Sequence, residues 1–406
     1  MTAMDDTQKI ATIRAELPVT ARYVYMNTGT NGQLPRRAHD ALVAKSQREL
    51  EAGRIGRDAF TELLAGWSAA RKTVAATLSC EAADIALTHN TTEGINIALM
   101  GIDWHSGDEV VTATTEHAGV LNPVYLIHQR YGVRIRMTDI GQPGLDSQAA
   151  LKAAITPRTR AVVLSHVCWS TGVTLPIADL AEITHQAGAL FICDAAQSCG
   201  MVPAPVLDLG VDAYAVSGQK WLLGPDGTGA LFIRSGRLGD FQSTFSGYHT
   251  VRHGMSDYQG NYVPTPGAER YEVATINPAS LAGWTASLTW LAEEVGWPWI
   301  HARIANLSGQ LYDQLASIDG VDILTPREGI AGLIHFTIVG MTPADAVKSL
   351  ADANILIRAT PAPELIRASV GFFNTEEEVA RVAQAVATLA SGGALSGSYD
   401  SARVDE

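Results

Sequence analysis

Between about residue 80 and residue 235, short β-branched apolar runs alternate with longer stretches of helical period. This alternation confines the chain to an α/β fold with a mostly parallel sheet, because parallel neighbours need long, usually helical, crossovers between them. The pattern predicts strands at Ile85–Thr88, Glu109–Thr112, Val133–Met137, Arg160–Ser165, Ala189–Cys193, Ala213–Val216 and Ala230–Ile233. Several are apolar throughout, as strands covered by helices on both faces must be. Crossover helices are expected to begin near Thr92, near His117 and at Pro176, with proline in the first turn, where its missing N–H costs nothing. In such a sheet, ligands collect beyond the carboxyl ends of the strands.

The chain has 406 residues, enough for two domains and at most three. Residues 240–278 are rich in Gly, Tyr, His and Pro without periodicity and read as long loops of the functional kind. Helical period returns in Leu281–Trp297 and Ile304–Ile318, followed by candidate strands at Gly332–Ile338 and Ile355–Arg358, a smaller α+β unit. The glycine- and serine-rich tail from Ser391 is expected to fray. Net charge is −13, which opposes a phosphate backbone or an anionic membrane surface, so neither nucleic acid nor membrane is an expected partner. No run of about 18 apolar residues and no signal-peptide order occur, so the cytoplasm is the expected compartment.

Three local patterns fail on context. Gly224–Gly229 is glycine-rich but leads into a strand, so it reads as a tight turn and not a dinucleotide loop. Ser217-Gly-Gln-Lys220 has the S-x-x-K spacing of penicillin-recognising enzymes but lacks their Lys-Thr-Gly companion. His166 and Cys168 share a strand face without an evident third ligand, so they read as a core pair, and no metal site is expected. Cys80, Cys168, Cys193 and Cys199 show no CxxC spacing.

Two residues at the ends of successive strands carry more weight: Asp194 after Phe191-Ile-Cys, and Lys220 after Ala213-Tyr-Ala-Val. Alone, the carboxylate reads as a helix cap and the lysine as a solvated side chain. Together they suit a carbonyl cofactor: the lysine forms a Schiff base, and the acid keeps a pyridine nitrogen protonated so that the ring accepts electrons from a carbanion.

From Tyr25-Met-Asn-Thr-Gly29 to Asn374-Thr-Glu-Glu-Glu378 the chain resembles the fold-type I pyridoxal-phosphate enzymes of the class V aminotransferase and cysteine desulfurase family. The segments Gly101–Glu109, Leu164–Gly172, Arg270–Thr275 and Leu365–Ser369 resemble its cystine carbon-sulfur lyase branch most. The resemblance implies pyridoxal 5'-phosphate and a homodimer with the active site at the subunit interface. It also implies a large cofactor domain over residues 23–280, a small C-terminal domain over 281–390, an N-terminal segment 1–22 packed on the small domain, and a frayed tail over 391–406. By the same resemblance Lys220 holds the cofactor and moves the α-proton, Asp194 pairs with the ring nitrogen, His117 stacks on the ring, and Gln197 bonds the phenolic oxygen. Thr91, Thr92, Ser217 and Gln219 hold the phosphate, joined by Thr275 of a neighbouring subunit. Arg367 grips the substrate carboxylate, Arg358 is a second grip, and Asn27, Thr28 and Tyr248 line the substrate side.

Three features depart from the pattern. Gln219 stands where histidine usually precedes the lysine; it can donate to phosphate but cannot carry charge. Ser170 replaces an asparagine beside the cofactor oxygen and shortens its reach. Desulfurases attack sulfur with a cysteine on a C-terminal loop, whereas all four cysteines here lie between residues 80 and 199. The expected activity is therefore β-elimination from cystine or an S-substituted cysteine, giving pyruvate, ammonia and a thiol or persulfide. The alternative is a class V aminotransferase or another reaction of the same cofactor on an amino acid conjugate: epimerisation, or oxygen-dependent decarboxylation or deamination.

Overall fold

The computed structural model describes residues 6–252 and 258–395. Helix α1 (Asp6–Glu16) leads to the two-residue strand β1 (Val24–Tyr25), then to the long helices α2 (Arg36–Ala52) and α3 (Arg57–Leu78). The alternating region follows as β2 (Ile85–Thr88), α4 (Thr91–Gly101), β3 (Glu109–Ala113), α5 (Ala118–Tyr131), β4 (Arg134–Thr138), α6 (Ser147–Ala154), β5 (Thr159–Ser165), α7 (Ile177–Gln186), β6 (Leu190–Asp194), β7 (Ala213–Ser217) and β8 (Gly229–Ile233). Every strand expected in this region forms. Pro176 sits one position earlier than expected, at the N-cap of α7.

These seven strands make one sheet in the order β2-β8-β7-β6-β5-β3-β4. The pairs β3–β4, β3–β5, β5–β6 and β6–β7 are parallel, and β8 runs antiparallel to both its neighbours. The glycine-rich Gly224–Gly229 is the turn joining antiparallel β7 and β8. Gly229 has no room for a side chain: a Cβ would lie 2.8 Å from the backbone of Asn90 and from Val216 O. The six parallel-running strands therefore end along one edge, where Thr88, Ala113, Ser165, Asp194 and Ser217 hand over to the loops.

Helices cover both faces. Val111, Val162, Phe191 and Tyr214 face one apolar layer, and Val110, Val163, Ile192 and Ala215 the other, as the two-residue period of a strand requires.

After the loops of residues 240–278 the chain forms α8 (Pro278–Trp290), one π-helical turn (Leu291–Val295), α9 (Trp297–Ala316), β9 (Val321–Ile323), β10 (Leu333–Ile338), α10 (Pro343–Asp352), β11 (Ile355–Leu356), β12 (Arg358–Pro361), β13 (Glu364–Ser369) and α11 (Glu376–Ala390). Strands β12, β13, β10 and β9 form a second, antiparallel sheet. Packing runs across residues 280 and 23, where the expected domain limits lie. Residue 280 falls inside α8, whose Leu281, Trp284 and Leu288 are buried with Leu87, Val216 and Phe232 of the large sheet. At the other limit, β1 pairs with β11, and Val24 and Met26 join the small core with Leu311, Phe336 and Val386. Helix α1 bridges to the small unit, where Arg14 meets Glu378 at 2.8 Å and donates to Phe373 O at 3.1 Å. Among the described residues no helix is long and apolar enough to cross a membrane.

The loop before α8 is tied down by a buried ion pair. Glu272 meets Arg71 of α3 at 2.8 Å and accepts the backbone N–H of Leu87 at 2.8 Å. Glu272→Ala strands a mostly buried cation and a strand N–H, leaving Arg71 only Glu269 at 3.8 Å. The expected loss of stability is about 3 kcal/mol. Urea unfolding checks it, and a loss below about 1 kcal/mol would contradict this role for the pair.

Candidate active site

The sheet edge opens on a cavity of about 460 Å³ lined by Gly29, Thr30, Asn90, Thr91, Thr92, His117, Trp169, Asp194, Ala196, Gln197, Ser217, Gln219, Lys220, Arg358 and Arg367. The strand-end residues arrive there by a similar route, at or just past the carboxyl ends of buried strands. Asp194 ends β6 and Ser217 ends β7, with Lys220 three residues later in the turn toward β8.

The charges are set mainly by burial. Burial lowers the Lys220 ammonium to about 8, with Arg367 and Arg358 acting in the same direction and Asp194 against it. Burial raises Asp194, opposed by the Ala196 N–H that it accepts at 2.8 Å and by Lys220 and His117. His117 is lowered by burial and by Lys220. It caps α5, its Nδ1 accepting the Gly119 N–H at 3.0 Å, so the neutral ring carries its proton on Nε2. Trp169 meets it edge-on, with ring centroids 5.1 Å apart.

At the other end of the cavity stands the first turn of α4. Asn90 caps it, accepting the Glu93 N–H at 2.9 Å. Thr91 shares a hydrogen bond of 2.7 Å with Ser217 Oγ and donates its N–H to the same oxygen at 3.2 Å. Hydroxyls and helix N–H groups meeting here suit a phosphate dianion. Gly119 keeps this end open, since a Cβ there would come within 2.5 Å of Thr92 Oγ1.

The small unit supplies two arginines. Arg367 on β13 is 1% exposed, and its Nη2 donates to Thr30 Oγ1 at 2.9 Å; Arg358 Nη1 approaches the same oxygen at 3.3 Å. Burial and Arg358 together lower Arg367 to about 9, so it stays charged at neutral pH. Its Nε is buried without a partner in the protein. A buried cation lacking a carboxylate, with an unspent donor, fits an anionic ligand.

Five expected site residues stand off the cavity. Ser170 is buried and donates to Thr115 O at 3.0 Å, so the position where asparagine was expected bonds the protein itself. Asn27 accepts from Thr30 Oγ1 at 2.7 Å and thereby holds the hydroxyl that meets both arginines. Thr28 is buried beside it. Thr275 and Tyr248 bond each other at 2.9 Å on another surface. Thr275 opens there on a hollow of about 890 Å³ with Arg48, Arg54 and Phe60, which contains none of the strand-end residues. Sequence reasoning missed Thr30, Asn90 and Trp169. Asn90, followed three residues later by Glu93, was visible as an N-cap pattern.

The cavity fits pyridoxal 5'-phosphate: a half-buried lysine depressed toward neutrality, a buried acid, and a hydroxyl-lined helix N-terminus occupy one space. Residues 24–382 match the family described as aminotransferase class-V. The chain belongs to this family. Class V aminotransferases are pyridoxal-phosphate enzymes of fold type I, and one similar solved structure is a lysine-to-alanine variant of C-DES with glycine covalently linked to the PLP cofactor. That structure has a TM-score of 0.88 at 29% identity and covers 92% of this chain and 98% of its own. The cystine C-S lyase C-DES in complex with its reaction product cysteine persulfide superposes with a TM-score of 0.87 at 30% identity, covering 91% and 99%. Among curated class V relatives, a probable cysteine desulfurase of Methanothermobacter thermautotrophicus is 28% identical over 399 residues, covering 94% of this chain and 98% of its own. The isopenicillin N epimerase of Streptomyces clavuligerus is 27% identical over 392 residues, covering 93% and 97%.

Proposed function

We propose that this protein is a pyridoxal-phosphate carbon-sulfur lyase that eliminates a thiol or persulfide from the β-carbon of cystine or an S-substituted cysteine. The observation that carries this reading is a cavity with lysine, acid and paired arginines but no thiol on its lining. Cys168 and Cys199 are buried, and burial pushes both up to about 12; Cys193 is pushed well above its usual range. Half-buried Cys80 is likewise pushed up to about 12 and lies off the cavity. A thiolate is the form that attacks sulfur, so none of the four suits a desulfurase.

When bound, the cofactor supplies an electron sink for a carbanion at the substrate α-carbon. The protein's own groups do the rest. Arg367, seconded by Arg358, holds the substrate carboxylate, and Asp194 keeps a proton on the ring nitrogen. Thr91, Thr92, Ser217 and Gln219 hold the phosphate, Gln197 the phenolic oxygen, and His117 supports the ring face. Lys220 Nζ takes the α-proton. The electron pair left on the α-carbon becomes the Cα=Cβ bond as the Cβ–S pair leaves with sulfur, which takes a proton. Water converts the released aminoacrylate to pyruvate and ammonia. Incubation with cystine and a panel of S-substituted cysteines, with pyruvate followed over time, tests the reading. Pyruvate should accumulate catalytically; keto acid with stoichiometric pyridoxamine phosphate, inverted amino acid or oxygen uptake would each assign a different reaction.

Lys220 also sets a pH dependence. Its amine must be neutral to attack a carbonyl, and burial brings half of it to that form at about pH 8. Cofactor capture by the apoenzyme should rise about tenfold per pH unit below pH 8 and level off above it. Stopped-flow absorbance reads this, and a rise continuing to the ordinary lysine value of 10.5 would contradict it.

The active unit in this reading is a homodimer in which Thr275 serves the partner's phosphate. Thr275 lies off the lining of its own cavity, and around its hollow Ile55 is 95% exposed, with Phe60 and, beside it, Leu50 also exposed, apolar surface that a second copy would cover. Light scattering should give about twice the 43.1 kDa chain mass. A monomer that still binds cofactor would contradict this arrangement.

A further inference from the structure

Glu116 is a fully buried carboxyl group that none of the roles above uses. It sits between Thr115 and His117, off the cavity, and reaches the end of β5. Its Oε1 accepts the Ser165 N–H at 2.7 Å, and its Oε2 shares a hydrogen bond of 2.6 Å with Ser165 Oγ. Ser165 is paired across the sheet with Asp194, and the next residue, His166, donates its N–H to Asp194 O at 3.0 Å. One side chain thus links the loop that presents His117 to the strand end that presents Asp194. The rest of that loop is pinned as well: Thr114 donates to Asp139 at 3.0 Å, Thr115 to Ile140 O at 2.7 Å, and Ser170 to Thr115 O at 3.0 Å.

Among the described residues no cation is ion-paired with Glu116. The group that acts on it most through charge is Asp194, of the same sign, and the neighbouring Cys168 and Cys193 are uncharged thiols. Burial and Asp194 raise Glu116 to about 8, with the two Ser165 contacts opposing. Two buried carboxyl groups joined through Ser165, with no cation ion-paired to Glu116, favour a single charge.

We propose that Glu116 is a positioning residue of the cofactor site: as an uncharged acid it ties the His117 loop to the Asp194 strand end and leaves Asp194 as the single negative charge at the ring nitrogen. This rests on Asp194 being the nitrogen's partner. A charge at Glu116 would draw protons to Asp194, and loss of its hydrogen bonds would free the loop to shift against the strand.

Three holoenzyme variants test this without using turnover. Visible circular dichroism reports the tilt of the bound ring, and equilibrium dialysis reports cofactor affinity. Glu116→Gln keeps a neutral, hydrogen-bonding group and should keep both, with affinity within about threefold of wild type. Glu116→Ala should lose half or more of the dichroic band and weaken affinity about tenfold. Infrared difference spectra between wild type and Glu116→Gln at neutral pH should show a protonated carboxyl band in the wild type. A carboxylate band instead, Gln behaving like Ala, or Ala matching wild type would overturn the proposal; should the Ala variant not fold, the infrared comparison decides alone. Asp194→Asn separates this from the underlying reading: an unchanged visible spectrum there would refute the Asp194 assignment, whereas a changed one with any of the three failures above refutes only the role of Glu116.

Discussion

If the proposed function holds, Lys220→Ala is expected to lower carbon-sulfur lyase turnover by about 10⁴-fold or more, because in that reading it deletes the general base and the amine that holds the cofactor in one step. The same substitution should remove the visible absorbance of lysine-bound cofactor. The fold should survive it, since Lys220 lies in a turn at the sheet edge and makes no side-chain hydrogen bond or ion pair within the described residues. Absorbance spectra of the reconstituted protein and a pyruvate assay check both parts. A persistent visible band with wild-type turnover would assign the chemistry to another group.

The second large effect is expected at Arg367. Arg367→Ala should reduce kcat/KM by about 10²- to 10³-fold, the range for losing a desolvated, charge-assisted hydrogen-bonded partner of a carboxylate. The loss should fall mainly on amino acid substrates and leave the visible spectrum of bound cofactor in place, because the arginine comes from β13 and not from the large sheet that carries Asp194 and leads to Lys220. Arg358→Ala should cost less, about tenfold, since this side chain is only partly buried and is the outer member of the pair. Steady-state kinetics on both variants decides the order. Equal losses, or a loss of cofactor binding in Arg367→Ala, would contradict the assignment.

The large sheet was legible because each strand carries its own signal: uninterrupted runs such as Ala161-Val-Val-Leu164 are buried on both faces, and Asp194 and Ser217 mark where those runs meet polar loops. Lys220 and Arg367 could be read because their neighbours in sequence belong to a recognisable order. Thr30 could not, since its importance lies in a hydroxyl shared by two arginines more than 300 positions away. Glu116 was equally silent: adjacent to His117 in sequence, it turns inward to Ser165 on another strand, and no local pattern encodes that direction. The packing of α8 was silent for a related reason. Periodicity announces α8 but not the surface it packs on, and Trp284 belongs to the large core although the chain has already left the sheet.

Ser170 shows where a substitution read from sequence gains meaning from geometry. A shorter side chain at this position was expected only to reach less far; in the fold its hydroxyl bonds Thr115 O and braces the loop that ends in His117. In the proposed reading the phenolic oxygen of the cofactor would then be left to Gln197, whose Oε1 accepts from Trp221 at 3.0 Å and whose Nε2 donates to Gly29 O at 2.9 Å, with one N–H to spare.

The central claim, elimination at the β-carbon without a thiol nucleophile, is tested most directly by the carbon product. With cystine or an S-substituted cysteine as the only substrate, mass spectrometry and ammonia determination should find pyruvate and ammonia in equal amounts and no alanine. Alanine as the main product, with sulfur retained on a protein cysteine, would contradict the account.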